Sequence, residues 1–169
     1  MKNIPSYIKD TTHFLQILDQ YTAPLPEDSI LVTLDVSSLY TNIPHHEAIS
    51  TIQTMLDKDL NKSIPTQWIL KLLDHVLTKN AFQFDGQIYQ QTLGISMGTR
   101  AAPSIANIFM DDFETKLLTN YHLKPIIWKR FIDDIFMVWT HGPNKLESFI
   151  TYINSLHETI KFTHEWSTT

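Results

Sequence analysis

Two adjacent aspartates, Asp133 and Asp134, lie inside one of the most hydrophobic segments of the chain, RFIDDIFMVW at residues 130–139. An apolar segment of this kind predicts a buried strand or a tight hairpin. Because an unpaired ionised carboxylate is costly to bury, such groups are usually neutralised, paired or bound to a metal ion. A second hydrophobic segment, residues 30–40, carries Asp35 where the strand leaves the core. Three aspartates at the ends of two strands therefore predict a divalent-metal site that handles phosphate groups.

The alternative for the aspartate pair is a β-turn with both carboxylates in water, because Asp is common in turns. About a hundred residues separate Asp35 from Asp133, so their convergence depends on the fold and not on local sequence. If the three carboxylates meet, their mutual repulsion requires hard cations between them. Two Mg²⁺ ions, or Mn²⁺ as a substitute, could then activate an attacking hydroxyl and stabilise a leaving pyrophosphate.

The composition is that of an ordinary globular protein, with 169 residues of which 43% are hydrophobic. We expect one domain or a piece of one. The absence of cysteine excludes disulfides and thiolate metal sites. No apolar stretch of about 18 residues and no signal peptide is visible, so we expect an intracellular protein without a membrane segment. The formal charge of -5 is unusual for a nucleic-acid-binding protein.

Hydrophobic periodicity predicts alternating helices and strands with at least one hairpin, which argues against a purely parallel sheet. We expect an α+β fold, a sheet with helices packed on one face. The predicted helices cover residues 10–20 and 44–57 and follow Pro65, Pro103 and Pro143, and the predicted strands cover residues 30–35, 82–91 (turning at Asp85-Gly86) and 160–166. Asp10 or Thr11 could cap the first helix, and Asn42 could cap the second. The helix after Pro65 has a predicted apolar face that comprises Ile69, Leu72, Leu73, Val76 and Leu77. The helix after Pro143 has its predicted apolar face at Leu146, Phe149, Ile150 and Ile153.

The glycine-containing segment TLGISMGTRAAP could let the backbone approach a ligand closely at Gly94 and Gly98. The alternative is a strand-to-helix connection in which glycine serves only the backbone geometry. Arg100 could contact a phosphate or lie in water.

Other conspicuous residues are interpreted as structural. The acidic cluster Asp111, Asp112 and Glu114 is explained by a solvated helix face. The tryptophans at positions 68, 128 and 139 are interpreted as core residues. The eight histidines lack the spacing of zinc ligands.

Three motifs together carry a family resemblance. Asp35 with Tyr40 five residues later matches the first catalytic motif of reverse transcriptases, and Gly98 with Pro103 matches the spacing of their second. The tetrapeptide FIDD, residues 131–134, matches their aromatic-x-Asp-Asp motif. The detailed sequence of four segments resembles the reverse transcriptase of Penelope-like retroelements, which are relatives of telomerase. These segments are LDVSSLYTNIPHHEAI, FQFDGQIYQQTLGISMGTRAAPSIANIFM, RFIDDIF and SLHETIKFTHEW.

The resemblance implies a role for each matching residue. Asp35 and Asp133 would be the principal Mg²⁺ ligands, Asp134 would support them, and the Val36 carbonyl would bind the nucleotide-side metal. Tyr40 would be a steric gate against the 2′-hydroxyl, and Met97 and Gly98 would pack against the nucleotide and templating base. Arg100 would contact a phosphate, and Lys161 would be a possible general acid for pyrophosphate. A lysine entering a strand is more often a surface residue, so both interpretations of Lys161 stay open.

The resemblance also implies an architecture and partners. Residues 1–169 would form a polymerase palm-like antiparallel sheet with part of the fingers, an incomplete right hand without thumb or endonuclease domain. The implied partners are an RNA template, a DNA primer, a deoxynucleoside triphosphate and the missing fingers and thumb segments. Nuclear localisation is expected for the full-length protein. The alternatives are a catalytically silent, retroelement-derived module that binds nucleic acid or protein, and a template-independent palm enzyme such as a nucleotidyl cyclase.

Overall fold

The computed structural model describes residues 4–59 and 63–168. In chain order the elements are α1 Thr11–Leu18, β1 Ile30–Val36, α2 Leu39–Asn42, α3 His45–Asp57, α4 Thr66–Thr78, β2 Ala81–Phe84, β3 Gln87–Gln90, α5 Ala102–Asn120, β4 Ile127–Phe131, β5 Asp134–Trp139, α6 Pro143–Ser155 and β6 Phe162–Thr168. They form two compact units. The sheet unit comprises the described residues of Met1–Ser37 and Glu114–Thr169, and the intervening unit comprises those of Ser38–Phe113.

The sheet unit is built on four antiparallel strands in the order β4-β5-β1-β6. Strand β1 alternates strictly between its two faces, because successive side chains of a strand point in opposite directions. The buried side chains are Ile30, Val32, Leu34 and Val36, and the exposed ones are Thr33 and Asp35. The predicted mixed α+β fold with an antiparallel sheet is confirmed.

Helix α6 packs through the apolar face that its sequence predicted, and Leu146, Phe149, Ile150 and Ile153 are all buried. Its central ring, Phe149, stacks on Trp139 with ring centres 5.1 Å apart and meets Trp128 edge-on at 6.1 Å. Such aromatic pairs add about 0.5–1.5 kcal/mol beyond the area they bury. These contacts attach α6 to the buried face of the sheet.

The N-terminal segment contributes to the opposite face and to the sheet edge. Helix α1 begins at the predicted cap, since the Asp10 carboxylate accepts a hydrogen bond from the His13 amide, and its Phe14 ring packs edge-on against Phe136 at 5.3 Å. Before α1 the chain runs along the free edge of β4: the Arg130 amide donates to the Ser6 carbonyl at 2.7 Å, and the Arg130 carbonyl accepts from the Ile8 amide at 2.8 Å.

The intervening unit contains the paired helices α3 and α4 and the predicted β2–β3 hairpin. Asp85 and Gly86 at its turn both have positive φ, 48° and 73°, which is the requirement of a type I′ turn.

The structure corrects the sequence interpretation of these helices and strands in four details. Trp68 is 54% exposed, and Leu72 and Val76 are 67% and 41% exposed, so α4 buries only the Leu73 and Leu77 side of its predicted face. The Trp68 ring instead lies beneath the Lys71 ammonium at 5.8 Å. Asn42, a plausible cap for α3, ends α2 instead, and Pro44 is the residue that precedes α3. Strand β6 begins two residues later than expected, at Phe162.

Among residues 4–59 and 63–168, no helix combines the length and apolar character needed to cross a bilayer.

Candidate functional site

The strand register brings the three aspartates to one end of the sheet. Asp35 in β1 is directly opposite Asp134 in β5, and opposed residues in antiparallel strands have Cβ atoms about 4.5–5.5 Å apart. The neighbouring Asp133 is bonded to strand β1, since its carbonyl accepts a hydrogen bond from the Val36 amide at 3.1 Å. The structure thus groups Asp35, Val36, Asp133 and Asp134, although Asp35 is distant from the pair in sequence.

The aspartate pair belongs to a tight hairpin, in which Phe131 pairs with Asp134 and only Ile132 and Asp133 form the turn. Ile132 has a φ of 57°. A positive φ at the first turn position is normally provided by glycine. For a β-branched residue it is a strained conformation, and such strain persists only where the surroundings enforce it. We name residues 131–134 the aspartate hairpin.

The carboxylates repel one another electrostatically. Partial burial raises the pKa of Asp134 above its usual value, and the negative charges of Asp133 and then Asp35 raise it further. The ionised form is therefore disfavoured in the folded protein, and a cation bound among these oxygens would relieve the repulsion.

This pKa shift leads to a stability prediction for the metal-free protein. A carboxyl whose pKa is raised by folding favours the folded state at low pH, and this contribution is lost as the pH rises through the folded-state pKa. Asp134→Asn is therefore expected to increase the free energy of unfolding at pH 7, and this advantage should disappear in the acid range where Asp134 is protonated in both states. Urea denaturation across pH 3–8 measures it. The matched control is Asp28→Asn, which removes an exposed carboxylate of the same unit; an equal gain in both variants would contradict the prediction.

The donor set fits a hard divalent ion. The side-chain donors are carboxylate oxygens, which Mg²⁺ and Mn²⁺ prefer. No group of three His, Cys, Asp or Glu side chains forms a ready-made metal cage in the part of the chain that the structure describes. Mg²⁺ is commonly held by one or two carboxylates, with water and substrate phosphates as the remaining ligands, so Asp35, Asp133 and Asp134 are compatible with it.

A buried polar cluster adjoins the aspartate hairpin, and sequence reasoning missed it. Glu114 is only 3% exposed, so its interpretation as part of a solvated face is wrong. Its Oε1 accepts from the Arg130 Nε at 2.8 Å and the Trp128 Nε1 at 2.9 Å, and its Oε2 accepts from the Ser6 hydroxyl at 2.5 Å. The only sequence signal was the position of Arg130 directly before the FIDD motif. The buried state of Trp128 and Trp139, by contrast, is confirmed.

The side chain of Lys161 lies at the C-terminal end of α6. Its ammonium donates to the carbonyls of Asn154 and His157, each at 2.7 Å, which complements the negative end of the helix dipole. The Lys161 carbonyl in turn accepts from the Ser37 amide at 2.8 Å. In this structure the ammonium therefore has a structural role at the helix terminus.

In the intervening unit, the gate candidate Tyr40 is attached to the glycine loop, residues 94–98. The Ile95 amide donates to the Tyr40 carbonyl at 2.6 Å, and the His45 Nε2 lies 2.6 Å from the Gly94 carbonyl. A side chain at Gly94 would lie 2.5 Å from the Thr41 Cα, so glycine is required for this close approach. His45 is a second contact that the sequence did not indicate.

The remaining substrate candidates lie on the surface of the same unit. Met97 is 69% exposed, and Gly98 and Arg100 are also exposed. The side chains of Met97 and Arg100 and the backbone of Gly98 are therefore accessible to a ligand.

Two hollows adjoin the sheet. A groove of about 560 Å³ beside the aspartate hairpin is lined by residues that include Asp134, Phe131, Phe136, Thr33 and Phe14. A larger hollow of about 980 Å³ lies at the N-terminal segment and is lined partly by Lys9, His13 and Lys129. Of these two, only the smaller groove is lined by one of the three aspartates, Asp134.

The family model for reverse transcriptase (RNA-dependent DNA polymerase) matches residues 2–167. This chain belongs to the reverse transcriptase family. Among solved structures, this reverse transcriptase domain is similar to telomerase from Candida albicans in complex with a fragment of telomeric RNA, at 8% identity and a TM-score of 0.79, with 99% of this chain and 32% of that chain covered. A truncated apo telomerase from Candida tropicalis is 15% identical with a TM-score of 0.67, covering 97% of this chain and 36% of that one.

Viral RNA polymerases share the fold. The Sicinivirus RNA-dependent RNA polymerase is 16% identical with a TM-score of 0.57, and 90% of this chain and 31% of that chain are covered. No curated protein sequence matches this chain significantly. The reverse transcriptase domain described here spans about a third of the length of these structural relatives, and the likeness establishes a polymerase palm-like fold.

Proposed function

We propose that the chain is the palm-centred part of an RNA-directed DNA polymerase of a Penelope-like retroelement. The observation that carries this proposal is the register that sets Asp35 opposite Asp134, with Asp133 at the adjoining turn. The family membership supports the polymerase class, and the detailed sequences of the four segments that resemble Penelope-like reverse transcriptases support the retroelement subtype. The RNA-bound telomerase among the structural relatives supports an RNA template.

The proposed reaction is attack of a primer 3′-hydroxyl on the α-phosphate of a deoxynucleoside triphosphate, which forms a phosphodiester bond and releases pyrophosphate. Asp35 and Asp133 would hold two divalent ions, with help from Asp134 and the Val36 carbonyl. When bound, such ions neutralise charge on the attacking and leaving oxygens of an in-line displacement. The contribution of the chain itself is positioning, because Asp35 and Asp134 belong to paired strands and Asp133 belongs to the tight turn between β4 and β5.

The proposed substrate contacts follow the family motifs. Tyr40 would exclude the 2′-hydroxyl, Met97 and Gly98 would pack against the nucleotide and templating base, and Arg100 would contact a phosphate. The observed helix-terminal hydrogen bonds of Lys161 favour the structural interpretation of that residue over general acid catalysis.

The test is primer extension on an RNA template, with the full-length protein that carries this chain, comparing Tyr40→Ala with wild type. We expect the ratio of ribonucleotide to deoxynucleotide incorporation to rise by about tenfold or more, a change of roughly 1.4 kcal/mol in relative barrier. Tyr40→Phe is the matched control, because it keeps the ring and should keep the selectivity.

The other outcomes separate the alternative functions. Unchanged selectivity in Tyr40→Ala would contradict the gate assignment. Product formation without a template would indicate a nucleotidyl cyclase-like enzyme. No product from a folded wild-type protein would favour the silent binding module.

A further inference from the structure

The buried ion pair of Arg130 and Glu114 adjoins the aspartate hairpin, and core packing alone does not explain why two charged residues are buried there. The Arg130 side chain is fully buried, and that of Glu114 is 4% exposed. Removing two charges from water costs several kcal/mol per ion, and hydrophobic residues often replace such pairs without loss of stability. The contacts of the pair therefore indicate a role beyond stability.

The Arg130 guanidinium makes contacts in two directions. On one side, its Nε and Nη2 donate to the two carboxylate oxygens of Glu114 at 2.8 and 3.3 Å. On the other, its Nη1 donates to the carbonyl of Ile132 at 2.9 Å. A planar guanidinium has fixed donor directions, so Glu114 determines where the Ile132 carbonyl is held.

The cluster is itself anchored. Glu114 also accepts from the Ser6 hydroxyl and the Trp128 indole, and the Arg130 backbone is bonded on both sides, to Ser6 and to Ile8. These contacts leave the guanidinium little freedom, which is what a support for a strained turn requires.

From this geometry we infer that Arg130 and Glu114 are positioning residues that hold the Ile132 turn in its left-handed conformation and thereby place Asp133 and Asp134. The inference rests on the proposed function for its catalytic consequence, but the mechanical part concerns the turn alone. A strained φ at Ile132 needs an external restraint, and the Nη1 hydrogen bond provides one directly at that residue.

The test uses Arg130→Lys, which keeps the charge but cannot bridge Glu114 and the Ile132 carbonyl with a rigid fork. The first readout is amide hydrogen exchange at Val36 by NMR, because that amide donates to the Asp133 carbonyl and so reports the position of the turn. We expect exchange at Val36 to accelerate by about threefold or more. The second readout is Mn²⁺ affinity by calorimetry, which we expect to weaken by about tenfold, as for other outer-shell partners of metal ligands.

Two comparisons separate positioning from general destabilisation. Lys129→Met is the matched control, since the Lys129 ammonium donates to the Pro5 carbonyl and takes no part in the cluster; it should change neither readout. In an Ile132→Gly background the turn is no longer strained, so Arg130→Lys should accelerate exchange at Val36 much less. A merely structural ion pair would give the same acceleration in both backgrounds.

Unchanged exchange at Val36 in folded Arg130→Lys overturns the inference, as does an equal effect in the Ile132→Gly background. If Arg130→Lys does not fold, Trp128→Phe replaces it: this variant removes one hydrogen bond to Glu114, and no acceleration at Val36 then overturns the inference. If the wild-type protein binds no Mn²⁺ even with deoxynucleotide present, the proposed function fails instead. The exchange measurement still decides whether the pair holds the turn.

Discussion

Replacing Asp133 with asparagine is expected to reduce nucleotide incorporation by on the order of a thousandfold, equivalent to about 4 kcal/mol of transition-state stabilisation. The reason is that the substitution removes a negative metal ligand while leaving a side chain of nearly the same shape. The measurement is single-turnover primer extension with saturating deoxynucleotide. Calorimetric titration of Mg²⁺ should show parallel loss of binding in the Asp133→Asn, Asp134→Asn double variant.

Asp28→Asn is the control for this experiment, because it changes the net charge equally at an exposed position of the same unit. It should retain wild-type incorporation and metal affinity. Full activity of Asp133→Asn at millimolar Mg²⁺ would remove Asp133 from the metal site and with it the central assignment of the proposed mechanism.

Replacing Gly94 with alanine is expected to lower the free energy of unfolding by about 2–5 kcal/mol. The added Cβ would lie 2.5 Å from both the Cα and the carbonyl oxygen of Thr41. These are backbone atoms that cannot rotate away, and overpacking of this kind costs about 1–3 kcal/mol. The φ of +71° at Gly94 adds a further cost of about 1–2 kcal/mol for any L side chain.

Gly86→Ala is the control that separates the steric cost from the cost of backbone conformation. The φ of Gly86 is +73°, but a Cβ there would meet nothing within 4 Å. Urea denaturation should show a small loss for Gly86→Ala, due to backbone conformation alone, and a clearly larger one for Gly94→Ala. Equal losses would mean that the loop can move away from Thr41. The close packing of residues 94–98 against the chain at Tyr40 would then not be a fixed feature.

Elements with a strong local signal could be predicted from the sequence. The apolar face of α6 and the Asp85-Gly86 hairpin depend on side-chain periodicity and turn chemistry within about a dozen residues, and both are present as expected. The antiparallel α+β class followed from the same local patterns, and the motif order was enough to predict the family. What local pattern could not decide was exposure: α4 shows an apolar stripe, yet Trp68 and Leu72 are exposed, because burial depends on what packs against a helix.

The sequence by itself determined which residues could carry polymerase chemistry, since residue type and spacing are local properties. Only the tertiary structure decided how they are held. The pairing of Asp35 with Asp134 depends on a register between strands about a hundred residues apart. The burial of Glu114 depends on Arg130 in another element. The positive φ of Ile132 contradicts the local preference of isoleucine, so only contacts from outside the turn can maintain it.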